Sequence, residues 1–163
     1  MATSANKTSS RRKISAEIKI TIAKFNEAIG TGKPIVDFHL KLAKRHPFVR
    51  VKDDIVFVQY PGTPIVFTVE ASRDPQKNFY PAGITFVRES NCGNADEDRL
   101  GLRNFPHDRI RIDDHRIFIA DNYRRGKNVN AYKFSLIVQR ESDGTIGIID
   151  PGMVHDNSDT RPH

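Results

Sequence analysis

Asp113-Asp114-His115 sets two carboxylates and an imidazole side by side, the ingredients of acid–base chemistry or metal ligation. Neighbouring residues of an extended chain point to opposite faces, so only Asp113 and His115 could converge. Between Ile112 and Arg116 the tripeptide reads more simply as a hairpin turn, where Asp is favoured. Asn94, Asp96 and Asp98 alternate like the first three ligands of a calcium loop. The sixth position of that pattern should be Gly and is Arg99, and the twelfth should be Glu and is Phe105. Cys92, His107 and Met153 are ligand types of a blue-copper centre, which also needs a second His. Cys92 and His107 stand fifteen positions apart, too far to share the one short loop that such a centre uses. Gly30-Thr31-Gly32-Lys33 resembles part of a phosphate loop, but Pro34 replaces the Ser/Thr and Glu27 occupies the position of the first Gly. No G-x-S-x-G elbow is present. Asp150, His155, Asp156 and Asp159 read as a solvated acidic tail. No catalytic set, metal or cofactor is therefore expected. An enzyme reading would rest on a small hydrolase or metal-dependent enzyme using Asp113, His115 or His107.

Positive charge offers a different chemistry. Residues 1–50 hold eleven Lys/Arg against three Asp/Glu, a balance of +8, whereas residues 51–163 hold fifteen against seventeen, a balance of −2. Asymmetry of this kind suits a polyanion-binding surface. Three clusters supply it: Arg11, Arg12 and Lys13; Lys44 and Arg45; and Arg124, Arg125 and Lys127. Tyr123 and Phe48 stand beside them and could stack on bases. If the clusters shared one face they would make a nucleic-acid footprint.

Strands must position these residues. Tyr132, Phe134, Leu136 and Val138 alternate with Lys133, Ser135, Ile137 and Gln139, and residues 141–144 (Glu-Ser-Asp-Gly) supply a turn. Residues 145–149 run back until Pro151 stops them, so 132–151 reads as an antiparallel hairpin. Residues 16–25 alternate with period two and are read as a strand. A helix capped by Ser15 would leave Ile20 on its polar side. Strand segments are also expected at 35–42, 48–51, 55–60, 65–71, 81–87, 109–112 and 116–120, with a long loop at 89–104 and a basic loop at 122–130. The runs Ile55-Val56-Phe57-Val58 and Pro64-Ile65-Val66-Phe67 are apolar at successive positions, as where both faces of a strand are covered. The pattern predicts an all-β fold, an antiparallel sandwich of about seven to nine strands. Its domain spans 14–156, after a disordered basic tail at 1–13 and before a frayed end at 157–163.

Tyr80-Pro81-Ala82-Gly83-Ile84, Arg103-Asn104-Phe105-Pro106, the strand at 117–121 and the hairpin ending Gly147-Ile148-Ile149-Asp150-Pro151 share a cadence. Over residues 80–156 it resembles the DP-EP family of small bacterial proteins, which have no established activity. That resemblance implies an immunoglobulin-like sandwich and carries over no catalytic residue.

A single cysteine, Cys92, rules out an internal disulfide, and no apolar run approaches the roughly 18 residues of a membrane span. The N-terminus lacks the apolar core of a secretory signal. A cytoplasmic protein is expected, acting as a non-enzymatic binding or assembly module through a protein partner or self-association. Nucleic acid is the alternative partner.

Overall fold

The computed structural model describes residues 14–24, 37–60, 62–70, 73–89, 99–121 and 130–155. The described residues form an all-β sandwich of eleven strands in two sheets, with no α-helix. The strands are β1 (Ala16–Lys24), β2 (Asp37–Leu42), β3 (Val49–Lys52), β4 (Ile55–Val58), β5 (Pro64–Val69) and β6 (Phe79–Arg88). They continue with β7 (Arg111–Asp113), β8 (Arg116–Ala120), β9 (Asn130–Arg140), β10 (Ile146–Ile149) and β11 (Gly152–His155). Among these residues no helix is long and apolar enough to cross a membrane.

One sheet has five strands in the order β2-β1-β5-β8-β7. The other has six: β9 pairs with β6 along one edge, and along its other edge with β10 and then β11, beyond which lie β4 and β3. The β9 register runs unbroken from β10 to β11, so Asp150-Pro151 interrupts one long strand rather than separating two. Phe134 N–H donates to the Pro151 carbonyl across that gap. Period-two alternation decides what faces inward. Ile18 and Ile20 of β1, Ile65, Phe67 and Val69 of β5, and Ile117 and Ile119 of β8 meet Phe134, Leu136 and Val138 of β9 with Val56, Val58 and Met153. Phe67 and Phe134 touch across the layer, ring centroids 5.1 Å apart.

The expected antiparallel sandwich of seven to nine strands is corrected in two respects. The described strands number eleven, because the chain resumes after Asp150-Pro151 as β11, a strand of four residues where the sequence reading expects a tail. Two pairs are parallel, β1 with β5 and β11 with β4. Both follow from one feature: the first and last described strands are inserted in sheet interiors, each with one parallel and one antiparallel neighbour. The reading of residues 16–25 as a strand matches β1.

Turn chemistry holds the strands in register. Asp53 and Asp54 take φ +52° and +58°, the left-handed pair that a two-residue hairpin turn requires. Asp54 Oδ1 also accepts the Leu40 N–H at 2.7 Å, which links the β3–β4 turn to the edge of the other sheet. Gly144 (φ +71°) closes the expected β9–β10 turn, its N–H donating to the Arg140 carbonyl at 2.8 Å. In β6 the register shifts between Pro81 and Gly83. This bulge lets a proline sit inside a ten-residue strand that the sequence pattern began only at 81.

Candidate ligand-binding end of the sandwich

In the five-stranded sheet, β2 ends, β1 begins, β5 begins and β8 ends at the same side, since Leu42 pairs with Ile18, Ala16 with Ile65, and Pro64 with Ala120. In the other sheet β3 begins while β4, β6 and β11 end and β9 begins together, with His155 opposite both Val58 and Asn130. The sheets are joined there by Asp121, just past β8, and His155, at the end of β11, whose Oδ2 and Nε2 lie 2.6 Å apart. These termini therefore belong to one end of the molecule.

Of the expected basic residues, the two that are described lie at this end. Lys44 and Arg45 are exposed on the connection that leaves β2. His46 follows, only 8% exposed, and its Nε2–H donates to the Ile14 carbonyl at 2.9 Å while Nδ1 accepts the Phe48 N–H at 3.2 Å. Two different partners thus fix the imidazole tautomer and tie the Lys44–Arg45 connection beside the point where Arg11, Arg12 and Lys13 join the domain. Tyr123, Arg124, Arg125 and Lys127 belong to the segment between Asp121 and Asn130, both of whose flanks lie at this end. Residues 11–13 and 123–127 themselves lie outside the described residues. From β2 to β8 is three strand spacings, roughly 14–15 Å.

Phe48 packs against Tyr60 with centroids 4.4 Å apart, and His46 meets Phe48 edge-on at 6.1 Å. Both Phe48 and Tyr60 are half-buried, so each leaves part of its ring to solvent. Phe48 was legible as a stacking candidate from its place beside the basic run. Tyr60 was not, because it approaches only through the pairing of β3 with β4. Cys92, Asn94, Asp96, Glu97 and Asp98 lie outside the described residues.

Asp121 and His155 are both fully buried. The rings of Phe105 and Tyr132 lie 5.8 and 5.6 Å from that of His155, and Asn104 Nδ2 donates to the Tyr132 hydroxyl at 2.8 Å. The Asp121 backbone is held by Gly62 N–H and by the Thr63 carbonyl. With no exposed atom the pair cannot meet a substrate; it clamps sheet to sheet. The expectation that His155 belongs to a solvated acidic tail is corrected here. Met153 and His155 alternate with Gly152 and Val154 as the inward residues of an interior strand, a run of four that is too short to stand out in sequence.

The carboxylate–imidazole tripeptide lies at the opposite end. Asp114 (φ +50°) and His115 form the turn between β7 and β8, as the sequence suggests. Asp113 pairs with Arg116 at 2.8 Å, while the His115 ring stacks on Tyr80 at 4.4 Å with Nδ1 3.3 Å from the Phe79 carbonyl. Partial burial, with the Glu141 and Asp114 carboxylates nearby, holds the Tyr80 phenol above its ordinary pKa. His107 is exposed on a one-turn 3₁₀ segment and Met153 is buried in the core. Among the described residues no group of three or more His, Cys, Asp and Glu is placed to hold a metal ion.

No protein-family model matches this chain, and no curated protein matches it. Among solved structures it is similar to an NMR structure of a protein from Bacteroides thetaiotaomicron, at 13% identity and a TM-score of 0.38. The match covers 69% of this chain and 86% of that one.

Proposed function

We propose that the protein is a non-enzymatic binding module whose ligand site is the end of the sandwich described above, and that the ligand is a polyanion, single-stranded nucleic acid in particular. The supporting observation is the convergence at that end of the anchor points of all three basic clusters, next to the Phe48–Tyr60 pair. Phosphates need clustered Lys/Arg, and unpaired bases need accessible aromatic rings; the exposed Lys44 and Arg45 near the half-buried Phe48 and Tyr60 support the reading. A sandwich commonly carries its ligand on end loops while the sheets hold them rigid. The resemblance of residues 80–156 to the DP-EP family, with an immunoglobulin-like arrangement, belongs to the same proposal.

Binding of a fluorescent oligonucleotide should weaken linearly in log–log form as salt rises. Lys44→Glu with Arg45→Glu should lower the slope by about 1.4, on the basis of roughly 0.7 per phosphate contact on a single strand. Phe48→Ala should weaken binding at every salt concentration without changing the slope. Absence of binding, or binding indifferent to salt, would overturn the polyanion reading.

A further inference from the structure

The two outer faces of the sandwich differ in how much apolar surface they carry: the five-stranded one keeps Val66 of β5 and Phe118 of β8 among charged residues. On the five-stranded sheet Glu17, Lys19, Lys41, Glu70 and Arg116 stand in solvent. On the six-stranded sheet the outward residues include Ile55, Phe57, Ile137, Ile148 and Val154, all half-buried, with Val87 and Ile146 each 48% exposed. A sheet with one solvated face ordinarily alternates apolar-in and polar-out. Here four adjacent strands keep apolar residues on both faces. The successive apolar residues of Ile55-Val56-Phe57-Val58 are the sequence trace of this.

One row crosses the face from edge to edge. Glu89 N–H donates to the Ala131 carbonyl, Ala131 pairs with Val154, Val154 with Phe57, and Phe57 with Arg50. The row carries an acid at one rim and a base at the other, four strand spacings or roughly 19 Å apart. Between them lie three apolar residues, and the Arg50 guanidinium sits 4.7 Å over the Phe57 ring.

We propose that this face binds a second copy of the chain, about a twofold axis that lies between the two faces and runs along β11. Such an axis exchanges left and right across the strands. It sets Glu89 opposite the partner's Arg50 at both rims, and Val154 opposite itself in the middle. In the next outward row, where Val87 pairs with Lys133, Lys133 with Gly152, Gly152 with Ile55 and Ile55 with Lys52, the same operation sets Lys133 against Ile55 and Lys52 against Val87. An axis across the strands would instead bring Glu89 onto Glu89 and Arg50 onto Arg50. Charge complementarity in the row from Glu89 to Arg50 therefore favours a second copy in this orientation. The Asp150 carboxylates are the like charges nearest the axis; the angle of roughly 30° between packed sheet faces carries them apart.

The experiment is a charge swap read by sedimentation and light scattering, with circular dichroism confirming that each variant keeps its strands. The unmodified chain should dimerise. Arg50→Glu and Glu89→Arg should each weaken the dimer by about tenfold or more, since each sets like charges face to face. The double variant R50E/E89R should recover most of that loss. A chain that stays monomeric at its highest soluble concentration would overturn the proposal, as would a dimer indifferent to the single reversals or not restored by the double. The variants leave Lys44, Arg45 and Phe48 in place, so dimer loss with oligonucleotide binding retained, or the reverse, separates this inference from the polyanion reading.

Discussion

Asp143 accepts three hydrogen bonds in the β9–β10 turn: from Arg140 Nε at 2.9 Å, from Arg140 Nη2 at 2.5 Å and from Thr145 N–H at 3.1 Å. The Arg140 bonds first, and the Thr145 bond second, hold its carboxyl well below the ordinary carboxylate range. A lowered folded-state pKa contributes stability above the unfolded value, and the contribution is lost as pH falls through the folded value. Asp143→Asn should therefore melt earlier than the unmodified chain at neutral pH, and the gap should narrow below about pH 4. Paired melts at pH 7 and pH 2 would check it; an equal gap at both would refute it. The buried Asp121–His155 pair behaves differently, because neither group can turn to water. Asp121→Ala should cost about 3–5 kcal/mol by stranding its partner. Replacing both residues with leucine should cost less than the single change, which urea unfolding would show. Neither role was legible beforehand. Asp143 was visible only as a turn residue, and His155 was placed in a tail because its partner lies 34 positions away on another sheet.

Elements differ in how much of the fold rests on them. β11 has four residues, yet it fills the place between β9 and β4. A chain ending at Pro151 should lose dispersed amide resonances and its cooperative transition, because β4 and β9 would face each other across an empty strand position. Ending at Asp156 should preserve both. Folding of the chain that ends at Pro151 as well as the unmodified chain would show that the strand is dispensable. The segment before β7 is pinned at Gly101, whose φ is +68° and where an added Cβ would stand 2.9 Å from Phe86 Cβ. Phe86 and Phe105 stack there at 3.8 Å, so the backbone must pass close to a filled core. Gly101→Ala should cost about 1–3 kcal/mol, measurable as a shift in denaturant midpoint. The β9–β10 hairpin was readable because long alternation and a Gly-containing turn coincide in one stretch. β6 was read too short because Pro81 signals an ending wherever a bulge is not foreseen.

At the scale of the whole molecule, the topology does two things with a moderately charged chain. It gathers the connections that carry Lys44, Arg45 and the flanks of the other basic segments at one end, and it leaves one outer face richer in apolar residues than the other. The consequences are separable. Added salt should release a bound oligonucleotide while leaving an apolar dimer largely intact, because screening acts on exposed charge far more than on buried surface. Sedimentation of the protein with labelled oligonucleotide, at low and high salt, reads both at once. Loss of the dimer in step with the oligonucleotide would show that the two surfaces are not independent.

Alternation by itself determined that this chain is a β-sandwich, where its central hairpin turns, and that positive charge is concentrated in its first third. Those are properties of neighbouring residues, and a period of two can be read along any stretch long enough to repeat. Strand order, the two parallel pairs, the clamp between Asp121 and His155, and the company that Tyr60 keeps with Phe48 were decided only in three dimensions. Each depends on contacts between residues distant in sequence, selected by how two sheets fill one interior, and such selection leaves no periodic mark on the chain.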